Sequence, residues 1–243
     1  MASPRSCLRV VGTEQIGPAT RALDVVRTDG APWSNVRGKY VILDTGLVLP
    51  DGKAVKRAYS LTPLTPGEGD ASHARLVIKR IGDGPGSGAL HTAPIGAEFS
   101  FSGPWGKLVP EGGIDETVLF VATDTGITSA LGVALRGEGA RLTVLWLRAA
   151  DESFYDLALV REAIALSGAR FLTATIPSLR APDRAVAAWA HVDACVAEHG
   201  PRVVLAAGDG EIVFPLKERS FPGTTVRDVR IECFFHNPER KSV

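Results

Sequence analysis

Arg57-Ala58-Tyr59-Ser60-Leu61-Thr62-Pro63 lies between a strand-like run and a proline turn, and it sets an arginine, an aromatic ring and a hydroxyl on one short extended stretch. Side chains alternate along an extended chain, so Arg57 and Tyr59 share one face and Ser60 takes the other. A guanidinium grips phosphate bidentately, a tyrosine ring lies flat against another ring system, and a serine hydroxyl both donates and accepts. Such a set suits a ligand with a phosphate at one end and a heteroaromatic ring at the other, which is the chemistry of a flavin nucleotide. Taken alone, the same residues also describe an ordinary strand end with an exposed arginine and a half-buried tyrosine.

The surrounding chain reads as β-structure. Residues 8–27 alternate loosely and break at Gly17-Pro18, which predicts two short strands. Arg37–Leu43 and Ala74–Ile81 are stronger strands, with turns over residues 47–55 and a Pro-, Gly- and Ser-rich loop over residues 63–72. Gly82-Asp83-Gly84-Pro85-Gly86-Ser87-Gly88 is a glycine-rich turn whose backbone can approach a phosphate closely, with Ser87 adding a hydroxyl and Ala89-Leu90-His91 starting a short helix. Phe99-Ser100-Phe101 is a strand, and Ser102-Gly103-Pro104-Trp105-Gly106 a tight turn in which Trp105 is read as structural. Many short strands without a helical pattern indicate a barrel or sandwich up to about residue 110.

Near residue 112 the texture changes. Glu116–Ala122 is a continuous apolar run, typical of a strand buried on both faces of a parallel sheet. Strands are predicted at Arg141–Leu147, Ala169–Ala174, Arg202–Ala207 and Val226–Phe235, and helices at Ala130–Leu135, Phe154–Ser167 and Ala185–Glu198. This alternation predicts a doubly wound α/β domain, which binds ligands at the C-terminal ends of its strands; Thr125-Gly126 and Gly208-Asp209-Gly210 both fall at such ends.

Composition narrows the function. With 243 residues, 45% hydrophobic and 22% charged, the chain can build two cores. Its 27 basic and 27 acidic residues cancel, so no charge excess points to nucleic acid or an anionic membrane. No apolar run spans a bilayer, Met1–Arg9 lacks the apolar core of a signal peptide, and a cytoplasmic protein is expected. Cys7, Cys195 and Cys233 are too few and too far apart for a disulfide framework or an iron–sulfur cluster, and the five histidines show no zinc-ligand spacing. Any electron carrier is therefore bound non-covalently or sits on a partner. Trp146, Trp189 and Cys195 are read as core, and Glu239-Arg240-Lys241 as a solvated tail.

The ordered segments resemble the ferredoxin–NADP reductase superfamily over roughly residues 37–236. Gly38-Lys39-Tyr40-Val41 looks like the family's strand before the flavin motif, and Arg57-Ala58-Tyr59-Ser60 matches its Arg-x-Tyr-Ser. Gly84-x-x-Ser87-x-x-Leu90-His91 matches its flavin-pyrophosphate loop, and Gly103-Pro104-Trp105-Gly106 the end of its barrel. Ala122–Thr128 looks like the loop that receives the pyridine nucleotide, and Glu232-Cys233-Phe234-Phe235 like the C-terminal Glu-x-Phe. The resemblance implies a two-domain α+β chain: an antiparallel flavin-binding β-barrel, residues 1–112, then a doubly wound parallel α/β nucleotide-binding domain, residues 113–243. It implies FAD, held through Arg57, Ala58, Tyr59 and Ser60, through Ile78 and Lys79, and through Gly86 and Ser87. Ser60 would act beside the reactive flavin nitrogen, with Glu232 and Phe235 on the nicotinamide side. Thr125, Gly126, Arg148, Gly208 and Asp209 would line the NAD(P)H site, although Arg148 reads equally well as a surface arginine.

Two departures stand out. Asp124 replaces a family glycine, and Ala207-Gly208-Asp209 stands where Cys-Gly-Pro is usual, so two acids lie at the nucleotide edge. Each would repel a pyrophosphate unless a Lys or Arg sits opposite. Ser129 also stands where proline is common. The resemblance implies a flavin-dependent oxidoreductase passing electrons from NAD(P)H through FAD to a separate one-electron acceptor: a ferredoxin, an oxygenase component or a haem protein. The two acids support an alternative, a flavin-binding relay or interaction subunit with weakened or lost NAD(P)H binding. A colourless, non-redox scaffold is the third reading, and the intact flavin motif argues against it.

Overall fold

A computed structural model describes residues 6–33, 36, 38–63, 73–82, 84–109, 115–135, 141–151, 154–219 and 221–235. The first layer is a six-stranded antiparallel sheet built from β1 (Cys7–Gly17), β2 (Thr20–Arg27), β3 (Tyr40–Val48), β4 (Ala54–Ser60), β5 (His73–Lys79) and β6 (Glu98–Trp105), in the order β4-β3-β6-β1-β2-β5. Its two edges, β4 and β5, meet through an antiparallel bridge between Thr62 and Arg75, which rolls the sheet into the expected barrel. Alternating side chains fill the interior: Val10, Leu23, Val25, Val41, Leu43, Leu76 and Ile78 pack with Trp33 and Leu90 into one core. Helix α1 (Pro85–His91) lies across β3, β4 and β5.

The second layer is a five-stranded parallel sheet of β7 (Val118–Thr123), β8 (Leu142–Ala149), β9 (Arg170–Ile176), β10 (Val203–Asp209) and β11 (Asp228–Phe235), in the order β11-β10-β7-β8-β9. Helices α2 (Ile127–Val133), α3 (Leu157–Leu166), α4 (Arg184–His199) and α5 (Gly210–Glu218) connect the strands. Every residue of β7 is buried, as the apolar run predicts. Phe120 and Ala122 join α2 and α3 on one face, while Leu119 and Val121 join α4 and α5 on the other. The chain runs outward from β7 through β8 to β9, then returns to place β10 on the other side of β7. The direction of winding therefore reverses between β7 and β10, and the crevice at their C-terminal ends is the switch point where such sheets take ligands.

The two layers share a core. Ile16, Ala22, Val77, Leu108 and Val109 from the barrel side pack with Ile127, Ala130 and Val133 of α2. Gly132 allows this docking, because a Cβ there would lie 2.9 Å from the Leu61 carbonyl oxygen. The end of β4 is thereby pressed against α2.

Several expectations are corrected. The glycine-rich turn is not an open loop: α1 begins at Pro85, proline being suited to a first helical position, so Gly86-Ser87-Gly88 are helical. Residues 210–218, left without an element in the sequence, form α5 despite Pro215, whose neighbours Ile212, Val213 and Leu216 are buried. Helix α2 starts at Ile127 rather than Ala130, after a 3-10 turn over Asp124–Gly126. Trp105 is not core; it ends β6 with 51% of its surface exposed. Trp146 and Cys195 are buried as expected, and Trp189 is half-buried against the α4–α5 face. Strand β3 begins at Tyr40, and Arg37 lies outside the described residues, as do the domain boundary at 112/113 and the Glu239-Arg240-Lys241 tail. Among the described residues no helix is long and apolar enough to cross a membrane.

Candidate active site

The sequence motif on β4 emerges at the barrel seam. Arg57 and Ala58 are exposed, Tyr59 is half-buried and Ser60 is buried, so the strand carries its phosphate-type cation in solvent and its hydroxyl inside. Arg57 donates from Nη1 to the Lys56 carbonyl at 2.8 Å, and its Nε lies against α1 at Gly86. Burial pushes the Tyr59 hydroxyl up to about 12, against the opposing pull of Arg57, so the phenol stays neutral and presents its ring. Gly86 of α1 forms the floor beside Arg57: a Cβ there would lie 2.8 Å from Val55 Cγ1 and 3.0 Å from Arg57 Nε. Glycine at this position lets α1 pack directly against the side chains of Val55 and Arg57.

The other barrel residues expected at the cofactor have different roles. Ser87 Oγ accepts from the Ile81 N–H at 3.3 Å and donates to the Gly84 carbonyl at 3.2 Å, so its hydroxyl staples the turn before α1. Ile78 points into the barrel core, and only its backbone, on edge strand β5, faces the seam. Lys79 reaches toward the second layer, with Nζ 5.9 Å from the centre of the Phe154 ring.

Ser60 and Glu232, distant in sequence, converge where the layers meet. Ser60 Oγ lies 3.1 Å from Thr128 Oγ1 and 3.4 Å from Ser129 Oγ. Ser129 in turn donates to Glu232 Oε2 at 3.4 Å. Thr128 also donates to the Thr125 carbonyl at 2.9 Å, and its single proton cannot serve that carbonyl and Ser60 at once. The result is a chain of groups, Ser60–Ser129–Glu232, in which each hydroxyl can reverse its direction. Loss of water around Glu232 pushes its carboxyl up to about 8, with the Ser129 hydrogen bond pulling the other way. Glu232 therefore holds its proton near neutral pH, which suits a group that gives or takes one. Phe235 ends the same strand, paired in register with Asp209.

At the switch point, β7 and β10 approach at backbone contact. A Cβ on Gly126 would lie 2.0 Å from the Ala207 carbonyl oxygen. Gly208 adopts φ +129 and accepts no larger residue, since a Cβ there would lie 2.2 Å from Thr123 Oγ1. Thr125 is half-buried on the turn above them. Arg148, at the end of β8, lies with its guanidinium 4.6 Å from the centre of the buried Trp146 ring. Its position at the C-terminal end of β8 and its contact with Trp146 distinguish it from a loose surface charge.

The two acids do not face the crevice. Asp124 is 2% exposed and Asp209 is fully buried, and both carboxylates turn onto Arg184, itself 2% exposed. Arg184 pairs with Asp124 Oδ2 and donates from Nε to Asp209 Oδ2 at 3.2 Å and from Nη1 to the Pro177 carbonyl at 2.5 Å. Asp209 also caps α5, its Oδ1 accepting from the Glu211 N–H at 3.1 Å. The arginine whose presence would relieve the acids thus exists. Removing one partner from such a buried set leaves an uncompensated charge and costs about 3–5 kcal/mol. Sequence reasoning missed both Arg184 and the bridging role of Ser129. Arg184 carries no local signal, being 60 residues from Asp124; Ser129 was visible only as a departure.

Comparison with known proteins agrees with the two-layer fold. A family model described as the oxidoreductase FAD-binding domain matches residues 9–109. Ferredoxin–NADP reductase B of Sorangium cellulosum (strain So ce56) is 32% identical over 194 residues, covering 70% of this chain and 77% of the relative. The structure titled as the ferredoxin reductase in carbazole 1,9a-dioxygenase aligns with a TM-score of 0.71 at 18% identity, covering 97% of this chain and 69% of the other. The FAD/NAD-binding domain of nitric oxide dioxygenase from Vibrio cholerae O1 biovar El Tor aligns with a TM-score of 0.67 at 14% identity, covering 94% and 98%. At such identities the two structures speak for the fold alone.

Proposed function

The chain belongs to the ferredoxin–NADP reductase superfamily of FAD-binding oxidoreductases, and from that membership we propose that it passes electrons taken from NAD(P)H, through FAD, to a separate one-electron acceptor. The acceptor is a ferredoxin, an oxygenase component or a haem protein. The relatives' names suggest those classes: two are ferredoxin reductases, one of these in a dioxygenase, and the third is the flavohaem-like domain of a nitric oxide dioxygenase. The chain's three separated cysteines cannot supply the four thiolates of a cluster, which favours an acceptor centre carried by other residues.

The observation that carries the proposal is the convergence of Ser60, Ser129 and Glu232 at the domain seam, on the buried end of the strand that carries Arg57 and Tyr59. The residues present fit FAD: an exposed arginine for a phosphate, held against α1 at Gly86, a half-buried neutral tyrosine ring for a flat face, and a buried hydroxyl deeper in. Bound FAD supplies the hydride and single-electron chemistry, which no side chain of this protein can perform. The chain's residues do the remainder. Arg57 anchors the phosphate end and Tyr59 orients the ring. Ser60 offers a proton at its Oγ to whatever lies against the buried end of the motif. Ser129 connects that hydroxyl to Glu232, which holds a proton in reserve near neutral pH. Ser60, Thr128 and Ser129 are buried where α2 meets β4, which keeps water from that end of the connection.

Asp124 and Asp209 no longer support loss of nucleotide binding, because both are paired internally with Arg184. Anaerobic stopped-flow mixing of flavin-loaded protein with NADH, then NADPH, tests the proposal. Bleaching of the flavin by micromolar nucleotide, followed by reoxidation with a one-electron acceptor, is the expected result. A yellow protein reduced by dithionite but by neither nucleotide would overturn it.

A further inference from the structure

Asp124 and Asp209 occupy the two turns that flank the switch point, one ending β7 and the other ending β10. A nucleotide lying across that crevice brings the charge of its pyrophosphate over two carboxylates. Burial does not hide those charges, because fields fall off more slowly through protein than through water. One side chain answers both. Arg184 begins α4, yet its guanidinium reaches β7 through Asp124, β10 through Asp209 and the end of β9 through the Pro177 carbonyl. The planar fork makes this possible, since three directions of donation are fixed on one rigid group. The second negative charge is met partly by α5, whose N-terminal amides Asp209 caps.

The same residues set backbone geometry. Asp124 sits at φ +49, a left-handed conformation that the family glycine adopts freely and that an aspartate adopts less readily. Its carbonyl accepts from Trp146 Nε1 at 2.9 Å, and the Asp209 N–H donates to Thr123 Oγ1 at 2.7 Å. The ends of β7, β8 and β10 are therefore tied into one block with Arg184 beneath it.

We propose that Arg184 is a positioning residue for the pyridine nucleotide: by clasping Asp124 and Asp209 it offsets one of their two negative charges, α5 answering part of the other, and it holds the Thr125-Gly126 turn in the place the nucleotide rests against. This rests on the proposed placement of the nucleotide over those turns. The chain has in effect replaced a glycine-lined edge by a salt-bridged one, and its affinity for nucleotide depends on an arginine that never touches the ligand.

The test is equilibrium binding of NADP+ and NAD+ to flavin-loaded protein, read from the flavin difference spectrum without turnover. Arg184→Met weakens binding by about tenfold or more, with flavin content and dithionite reduction unchanged. Arg184→Lys keeps the charge but loses the fork and falls between. Asp124→Gly/Arg184→Met/Asp209→Ser removes all three charges, and its affinity returns to within about threefold of the parent. Asp124→Gly/Asp209→Ser with Arg184 retained leaves a cation beneath the site; it binds more tightly than the parent at low salt and loses the gain at high salt. Parent-like binding by Arg184→Met, or a triple variant as weak as the single one, would overturn the proposal. If Arg184→Met does not fold, the Asp124→Gly/Asp209→Ser variant decides, and unchanged or weaker binding there counts against it. Thr125→Glu reports separately on the site. If that added carboxylate leaves binding intact, the nucleotide lies elsewhere and both readings fall; if it weakens binding while the Arg184 set has no effect, only the role of Arg184 falls.

Discussion

Ser129 lies 3.4 Å from Glu232, and the same hydroxyl is 3.4 Å from Ser60, so a residue of the α/β layer joins a barrel serine to the carboxyl of the last strand. These are long contacts for O–H···O bonds. Their value lies in connectivity. A proton at Glu232 can reach Ser60 by two hydroxyl reorientations without leaving the interior.

Replacing Ser129 by alanine separates the two ends. The hydrogen bond from Ser129 holds the Glu232 carboxyl down, so its loss moves that group above about 8. The expected result is a fall of about 100-fold in the rate of flavin reduction at pH 7, the lower end of the range for loss of one proton-transfer partner, and a pH inflection displaced upward. Ser129→Thr restores both. Flavin reduction followed from pH 6 to 9.5 is the measurement, and a parent-like profile in Ser129→Ala would remove Ser129 from the path.

Glu232→Gln tests the carboxyl through stability as well as rate. The unfolded chain ionises this group near its ordinary value of 4.5, whereas the folded chain keeps the proton up to about 8. Between those values the folded state binds more protons, so stability present at low pH is lost as pH rises through the window and is constant above it. The variant has no such slope from this site and exceeds the parent above pH 8. The gain is about 1–2 kcal/mol, less than the full shift implies, because the side chain remains partly wet. Thermal unfolding of both flavin-loaded proteins at pH 5, 6.5 and 8.5 measures it; parallel curves would show that Glu232 ionises normally.

The barrel motif and the strand pattern were legible in the sequence because each is local. Five apolar residues in a row at Val118–Ala122 read as a strand buried on both faces, and Arg57-x-Tyr59-Ser60 carries its chemistry within one strand. Helix α5 was hidden by Gly208, Gly210 and Pro215, which read as turn, while the burial of Ile212, Val213 and Leu216 against the sheet outweighs those propensities. Trp105 was taken for structure because large aromatics usually are, but its strand ends at the rim of the barrel. The acids at 124 and 209 looked repulsive because their partner lies on a third segment. No spacing rule connects a residue at the start of α4 to the ends of β7 and β10; only the winding of the sheet brings them together.

Arg57→Ala is expected to weaken flavin binding by about 10–100-fold, the worth of one charge-assisted contact at roughly 1.5–3 kcal/mol. Gly86→Ala produces a smaller loss by another route, since its Cβ would press on Val55 and on Arg57 Nε. Binding of NADP+ to whatever fraction retains flavin stays unchanged in both. Flavin absorbance per mole of protein after extensive dialysis reports the effect. Full retention of flavin by Arg57→Ala would mean that the cofactor is anchored elsewhere.

Gly126→Ala separates packing from backbone freedom more cleanly. Gly126 has φ −59, a conformation open to any residue, so alanine carries no torsional strain there. The whole cost comes from its Cβ, which would lie 2.0 Å from the Ala207 oxygen and 2.6 Å from the Ala207 carbonyl carbon. Both are backbone atoms of a central strand and cannot swing aside. The turn must move away from β10, which pulls Asp124 from Arg184 and opens the contact between the two strand ends. We expect a loss of about 1–3 kcal/mol in stability, as for other overpacked interiors, together with weakened nucleotide binding and retained flavin. Gly88→Ala is the matched control: it lies within α1, nothing stands within 4 Å of its Cβ, and alanine there adds helix stability of up to about 1 kcal/mol. Thermal unfolding and NADP+ titration of the two variants, side by side, decide the point. Equal and undiminished nucleotide binding in both would mean that the close approach of β7 and β10 does not shape the nucleotide site.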